Sequence, residues 1–416
     1  MTLAYPYRFT IPVGPFNSFS IAEIVLGLAW VILVPRQLLA GLPHQKQPNL
    51  LHGRLRLSAL DGAIFSYVGM NLLSFLWAER LDFAIRGMIP IVENLAFYYF
   101  IILYVTDRDK LNRIVQLYLG LGVAALALSA LFYFWRLEFL EIVPAQEEML
   151  LISEQTRLGS PAWGQSNYFA SFMLLFLPIY LSLAILAKSK WRRLVFRAIV
   201  AGGVVMFFFT LSRGGYASLA WGLAVWLFLM LKRRKFSSRA VTTMFVTGVA
   251  IALGLGAAFL YFPDIHLPIA DLSGRVLTID DFNVRVRLHL FQTAWDNIQN
   301  SFMGVGLGNF AAVDELGGMS VHSIYLQTLL EIGWLGGAIF MLMLYLLLRQ
   351  NQRLIKTLER TPYEPLAFGL VTGFLAILVN VAVEASFEGI VFGWIFWMTQ
   401  GMVRALGSQF WSRNES

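Results

Sequence analysis

The chain contains no cysteine and few charged residues. Asp, Glu, Lys and Arg make up only 14% of its 416 residues. The lack of cysteine excludes disulfide bonds, thiolate nucleophiles and thiolate-bound metals. The scarcity of charge, beside 58% hydrophobic residues, is far outside the balance of a soluble domain of this size. We therefore interpret the chain as an integral membrane protein.

The net charge of +7 does not indicate a nucleic-acid-binding protein. The basic residues are concentrated in short loops between apolar runs, where they act as topology signals and contact anionic headgroups. The sequence offers no exposed basic domain for a nucleic acid to bind. We expect membrane lipids as partners, and no nucleic acid.

Apolar runs of membrane-spanning length recur along the chain. A helix needs roughly 20 apolar residues to cross the hydrocarbon core, whereas barrel strands are alternating segments of about 10 residues. The predicted fold is an all-α polytopic membrane protein with about 11–12 transmembrane helices and an external loop that carries short amphipathic helices. The predicted spans lie near 19–35, 59–77, 83–105, 111–135, 165–187, 194–212, 214–231, 240–262, 321–348, 364–384 and 388–407.

The charges of the loops predict their sides of the membrane. Cytoplasmic loops are enriched in Lys and Arg, and the basic loops fall on alternate connections, so all of them can be cytoplasmic at once. We expect residues 1–416 to form a single transmembrane domain, with 263–320 as an external loop. The basic loops are 36–56, 108–113, 188–193, 232–235 and 349–360.

Part of the external loop has helical periodicity. Val286, Leu290, Ala294 and Ile298 recur at helical spacing within 283–300, which predicts an amphipathic helix on the membrane surface. The glycines that follow predict a flexible turn. They are not a dinucleotide-binding fingerprint, because no strand precedes them.

Several cations share the predicted external face. Arg213 lies in the string 211–215 between two apolar runs, and the topology places it on the same side as Arg285, Arg287 and His322. The guanidinium fork matches the geometry of a phosphate and keeps its charge. A histidine adds a group that can accept a proton near neutral pH. This face is therefore predicted to bind an anionic group such as a phosphate.

Short motifs follow one another in a distinctive order from residue 157 to residue 340. They are RLGSP at 157–161 with QSN at 165–167, SRGG at 212–215, Arg285 with Trp295, GVGLGNF at 304–310, and HSIYL at 322–326 with EIGWLG at 331–336. In this order and spacing the chain resembles the O-antigen ligase and O-antigen polymerase superfamily of bacterial inner-membrane proteins. The resemblance implies a glycosyltransferase of that membrane with its active site facing the periplasm.

The resemblance also implies the substrates. The donor is a glycan on undecaprenyl pyrophosphate, the acceptor is a sugar hydroxyl, and neither a metal nor another cofactor is needed. Arg213 and Arg285 match the arginines of the family and are assigned to the pyrophosphate, with Arg287 as an auxiliary, because fixed cations stabilise the charge that develops on the leaving group. His322 matches the family histidine and is assigned as general base. Direct displacement would invert the anomeric configuration.

Four more polar residues are candidates for substrate binding. Arg157 and Asn167 are placed to line the donor or acceptor groove. Glu384 and Glu388 lie near the outer ends of the last two spans, where a carboxylate is a functional candidate by default. They could orient His322 or an arginine, or simply cap a short turn.

Three functions fit these observations. We favour an O-antigen ligase, with lipid A core as acceptor, over an O-antigen or exopolysaccharide polymerase that uses the same donor and another glycan as acceptor. The alternative of another class is a secondary transporter of a small anion such as bicarbonate. Transporters place their site near the bilayer midplane between repeated halves, whereas here the charges sit at one surface and no repeat is visible.

Overall fold

In the computed structural model of this protein, the described residues are 10–12, 18–20, 58–135, 166–232, 282–310, 320–384, 387 and 390–411. The predicted spans near 19–35 and 240–262 lie almost wholly outside them. Every other predicted span coincides with a helix, although some helix ends differ by several residues. The total of 11–12 transmembrane helices therefore stays a prediction.

The described residues are almost entirely helical, and they confirm an all-α polytopic membrane protein. Two short strands, β1 (Thr10–Pro12) and β2 (Ser18–Ser20), pair antiparallel. The helices are α1 (Ala59–Leu73), α2 (Leu81–Tyr104), α3 (Arg108–Trp135), α4 (Ser166–Leu186), α5 (Lys190–Phe209), α6 (Arg213–Lys232), α7 (Phe282–Asn300), α8 (Ile324–Thr357), α9 (Glu364–Asn380) and α10 (Ile390–Trp411).

Six of the described helices are long and apolar enough to cross a membrane. They are Ala59–Leu76, which is α1 with the 3₁₀ turn that follows it, Leu81–Tyr104, Arg108–Leu131, Ser166–Leu186, Arg213–Lys232 and Ile324–Thr357. Helix α9 is a shorter apolar helix.

Helix α9 lies at the centre of the bundle between α4 and α6. It runs antiparallel to α4, because Gly373 approaches the backbone of Leu174 while Gly369 approaches that of Ile179. A methyl group added to Gly373 would lie 3.0 Å from the carbonyl oxygen of Leu174. The glycines therefore let the two helix backbones approach closely enough to bury the side chains between them.

The described basic loops gather at one end of the bundle, whereas 36–56 lies outside the described residues. The Tyr363 hydroxyl just before α9 donates a hydrogen bond to Asn112 near the start of α3. Arg108, also at the start of α3, lies over the ring of Phe410 near the end of α10, 5.0 Å from the ring centroid. Trp226 near the end of α6 packs with Phe368 near the start of α9. This grouping matches the alternation of loops that the charges predict.

Helix α7 is the amphipathic helix that the sequence predicts. Leu290, Ala294 and Ile298 are buried in a small cluster with Phe310 and Leu330. Other side chains of α7 are exposed, among them Leu288 and Trp295. The period of about 3.6 residues thus separates a packed stripe from an exposed face.

Helix α8 is broken at Gly333, where the sequence predicts one continuous span. The backbone there has φ 70° and ψ −174°, a conformation open almost only to glycine. The break frees the carbonyls of Leu330 and Glu331, which accept hydrogen bonds from the amides of Val305 and Gly306 at 2.9 Å each. The glycine-rich turn after α7 is thereby fixed to the middle of α8.

We expect Gly333→Ala to destabilise the protein by about 1–3 kcal/mol from backbone strain alone. The added methyl group would also collide with the carbonyl oxygen of Phe302. Gly120→Ala in α3 is the matched control, because a methyl group added there would have nothing within 4 Å. Thermal unfolding in detergent measures the difference, and equal midpoints for the two variants would contradict the strain at Gly333.

Candidate functional site

At the candidate site, other helices contact the end of α9. Residues 380–384, called the α9 end segment below, comprise the last residue of the helix and the four residues that follow it. The side-chain oxygen of Asn380 accepts a hydrogen bond from the Ser171 hydroxyl of α4 at 2.7 Å. The carbonyl of Val381 accepts one from the amide of Ile324, the first residue of α8, at 3.0 Å. The starts of α4 and α8 are thus tied to the end of α9.

The α9 end segment also holds Arg287 of α7. Its Nη1 and Nη2 donate to Oε1 and Oε2 of Glu384 at 3.1 and 3.2 Å, and Nη1 also donates to the carbonyl of Val383 at 3.0 Å. The Glu384 side chain is 4% exposed and that of Arg287 is 29% exposed. A buried carboxylate needs charge and hydrogen-bond compensation, and the bidentate arginine provides both.

This pairing leaves one edge of the Arg287 guanidinium for another hydrogen-bond acceptor. The two Nη atoms face Glu384, so the edge formed by Nε and the second Nη2 hydrogen points elsewhere. In the part of the chain that the structure describes, Nε of Arg287 has no hydrogen-bond partner. Arg287 is therefore oriented by Glu384 and still has a bidentate edge to offer.

Glu384 lies against the N-terminal ends of two helices. The side-chain amide of Asn167, near the start of α4, donates to its Oε2 at 2.9 Å. A methyl group added to Gly214, near the start of α6, would lie 3.1 Å from its Cγ and Oε1. Helix N-termini carry partial positive charge, so the carboxylate sits where negative charge is favourable.

Arg213 is the first residue of α6 and is partly buried. The turn before it places Leu211 in the left-handed region, with φ 52°. The hydroxyl of Ser212 then accepts a hydrogen bond from the amide of Gly215 at 3.2 Å, which caps the helix. Gly214, the next residue, lies against Glu384. The turn therefore starts α6, with Arg213, beside the end of α9.

His322 lies two residues before α8 and has a left-handed backbone, with φ 55°. Its amide donates to the Ser320 hydroxyl at 3.3 Å. Its side chain is partly buried, and among the described residues its Nδ1 atom is buried without a hydrogen-bond partner. Burial and the positive charge of Arg287 lower the pKa of His322 to about 4. The imidazole is therefore neutral at pH 7.

The structure brings five of the sequence-predicted residues to one end of the bundle: Arg213, Arg287, His322, Asn167 and Glu384. We call them the α9-end cluster. The Glu384 carboxylate contacts Arg287 and Asn167, among others, and its contact with Arg287 corresponds to the alternative in which Glu384 orients an arginine.

The other predicted site residues are not placed by the structure. Arg285 lies in α7, but its side chain is outside the described part of the chain. Arg157 and Glu388 lie outside the described residues altogether. Their assignment to substrate binding stays a prediction, as does the choice of Arg285 over Arg287 as the main pyrophosphate contact.

The sequence analysis missed Asn380 and the structural role of the glycine-rich turn. The signal for Asn380 was a polar residue inside the predicted span 364–384. In the turn, the side-chain oxygen of Asn309 accepts a hydrogen bond from the amide of Arg80 at 2.7 Å. Gly304, Gly306 and Gly308 all have positive φ angles, which shape the turn. The hydrogen bond of Asn309 fixes the turn between α7 and the bundle.

The fold and the α9-end cluster define a polytopic membrane protein with an arginine and histidine site at one end of its helices. Residues 198–341 match the model of the O-antigen ligase family, and this segment contains Arg213, Arg287 and His322. The chain is also similar to the teichuronic acid biosynthesis protein TuaE of Bacillus subtilis (strain 168), with 21% identity over 354 residues, which are 78% of this chain and 67% of TuaE. These matches confirm the resemblance to the O-antigen ligase and polymerase superfamily, and they support a membrane glycosyltransferase of that kind.

We expect Glu384→Gln to destabilise the fold, because Arg287 then loses the charge of its buried partner. The loss should be about 1–3 kcal/mol, measured as a lower thermal unfolding midpoint in detergent. Glu359→Gln, at an exposed carboxylate near the end of α8, is the control and should change little.

The double variant Arg287→Gln with Glu384→Gln tests the coupling between the two side chains. Its destabilisation should be smaller than the sum of the single losses, since neither variant side chain leaves a buried charge unpaired. Strict additivity of the two losses would show that the ion pair does not hold the α9 end segment to α7.

Proposed function

We propose that this protein transfers a glycan from undecaprenyl pyrophosphate to a sugar hydroxyl on the periplasmic face of a bacterial inner membrane. The observation that carries the proposal is the α9-end cluster, in which an oriented arginine, a second arginine at a helix start and a neutral histidine share one end of the bundle. No step of the proposed reaction uses a metal or another cofactor.

The arginines suit the diphosphate of the donor. Breaking the bond between the sugar and the diphosphate leaves negative charge on the leaving group, and fixed positive groups aimed at that charge lower the barrier. Arg287 can offer its Nε edge while Glu384 holds the other edge. We assign Arg213 the same task from the start of α6, with Arg285 as a further candidate.

His322 is suited to activate the acceptor hydroxyl as a general base. A sugar hydroxyl is a weak nucleophile at neutral pH, and a general base in contact with it contributes roughly a hundredfold to ten-thousandfold. The imidazole takes the hydroxyl proton, the acceptor oxygen bonds to the anomeric carbon, and the diphosphate leaves with the electron pair of the broken bond. This direct displacement inverts the anomeric configuration.

The proposed orientation follows from the charged loops. The basic end of the bundle faces the cytoplasm by the positive-inside rule, so the α9-end cluster faces the periplasm. We propose that residues 1–416 form a single transmembrane domain, with 263–320 as its external loop. Arg157, Asn167 and Glu388 then belong to the substrate-binding groove.

Two acceptors fit the same chemistry. The description of the matched family, an O-antigen ligase, favours transfer to lipid A core, and we place it first. The name of the similar TuaE protein, which refers to teichuronic acid biosynthesis, favours transfer to another lipid-linked glycan, as in a polymerase. A small-anion transporter is less favoured, because the described cluster lies at helix ends and not at mid-depth.

We expect Arg213→Ala and His322→Ala each to lower glycan transfer at least about a hundredfold. The assay compares variants in a strain that lacks the wild-type protein, with membrane levels checked for each. Arg353→Ala, an exposed arginine near the opposite end of α8, is the control and should transfer normally. Normal transfer by His322→Ala would remove the histidine from the mechanism.

The lipid-linked intermediates that accumulate in the deletion strain distinguish the two acceptors. Full-length glycan chains on the lipid are expected for a ligase, whereas single repeat units are expected for a polymerase. Neither kind of intermediate would accumulate if the protein were an anion transporter.

A further inference from the structure

The proposed base stands next to a fixed positive charge. His322 must become a cation when it takes a proton, and Arg287 opposes that change. Burial and, as the smaller effect, the charge of Arg287 both favour the neutral imidazole. A histidine held neutral in this way is a poor proton acceptor unless something offsets the arginine.

Backbone contacts tie Arg287 and the segment that carries His322 to the same part of the fold. The amide of Ile324, two residues after His322, donates to the carbonyl of Val381 at 3.0 Å. The Nη1 of Arg287 donates to the carbonyl of Val383 at 3.0 Å. Arg287 and the segment that carries His322 are therefore both tied to the α9 end segment, at Val383 and Val381.

The charged residues of the α9-end cluster that accompany His322 come from three other elements. Arg287 approaches from α7, Arg213 stands at the start of α6, and Glu384 belongs to the α9 end segment. On its own element, the Tyr325 hydroxyl is engaged with the carbonyl of Leu378 at 2.8 Å. The Glu384 carboxylate faces the Nη edge of Arg287 and Asn167. The remaining edge of Arg287 is where an anion from outside can bind.

We propose that donor binding switches on the base: a diphosphate bound at the Nε edge of Arg287 offsets the charge that opposes protonation of His322. This inference rests on the proposed function and adds an order to it. The diphosphate binds first, and only then can the imidazole take the proton of the acceptor hydroxyl as the new glycosidic bond forms and the diphosphate leaves. In the absence of donor, the enzyme activates neither acceptor nor water.

Inorganic pyrophosphate is the probe that separates binding from transfer. The full-length protein is purified in detergent with ¹⁵N-labelled histidine, and the signal of His322 among the five histidines is identified by its loss in His322→Gln. Its titration is followed by NMR from acid to neutral pH, with and without pyrophosphate. Sodium chloride at equal ionic strength controls for screening. We expect pyrophosphate to raise the pKa of His322 by about 1–2 pH units.

Two variants at Arg287 test whether this residue is the origin of the change in the pKa of His322. Arg287→Gln should raise the pKa of His322 without any ligand, and pyrophosphate should then add little. Arg287→Lys keeps the charge but lacks the Nε edge, so His322 should titrate as in the wild type without ligand and respond less to pyrophosphate. A correct fold of each variant is checked by its thermal unfolding midpoint.

The outcomes distinguish the inference from the function on which it rests. Pyrophosphate that binds, as measured by calorimetry, without moving the titration of His322 overturns the inference and leaves the transferase proposal intact. A pyrophosphate that does not bind at all overturns the proposed diphosphate site and the inference with it.

Discussion

The site depends on one buried ion pair, between Glu384 after α9 and Arg287 of α7. The carboxylate is almost fully buried and would be costly to leave without a cation. It therefore fixes Arg287, the arginine of α7 whose side chain the structure describes, against the helix bundle. Because Asn167 binds the same carboxylate, and Gly214 leaves room for it, the pair also sets the positions of α4 and α6.

A second constraint acts at the C-terminal end of α7. The helix break at Gly333 exposes two carbonyls of α8, and the amides of Val305 and Gly306 bind them. Asn309 ties the same turn to Arg80. Helix α7 is thus held at its C-terminal end by the glycine-rich turn and nearer its start by Glu384. An amphipathic helix held at both ends can keep a cationic side chain in place beside the bundle.

The sequence predicted those features that a single segment determines. Apolar length predicted the spans, the spacing of Leu290, Ala294 and Ile298 predicted α7, and the alternation of basic loops predicted which cations share a face. Other features depend on packing between distant segments, so no local pattern shows them. Gly333 lies in an apolar run that reads as a continuous helix, and its break is stabilised by amides of another loop. The partners of Glu384 come from α4 and α7, which are far from it in the chain.

A structure of the protein with a lipid-linked diphosphate bound tests the central claim most directly. We expect the diphosphate to lie at the end of α9, in contact with the Nε edge of Arg287, and close to Arg213 and His322. A diphosphate bound at the basic end of the bundle, or at mid-depth between the helices, would contradict it.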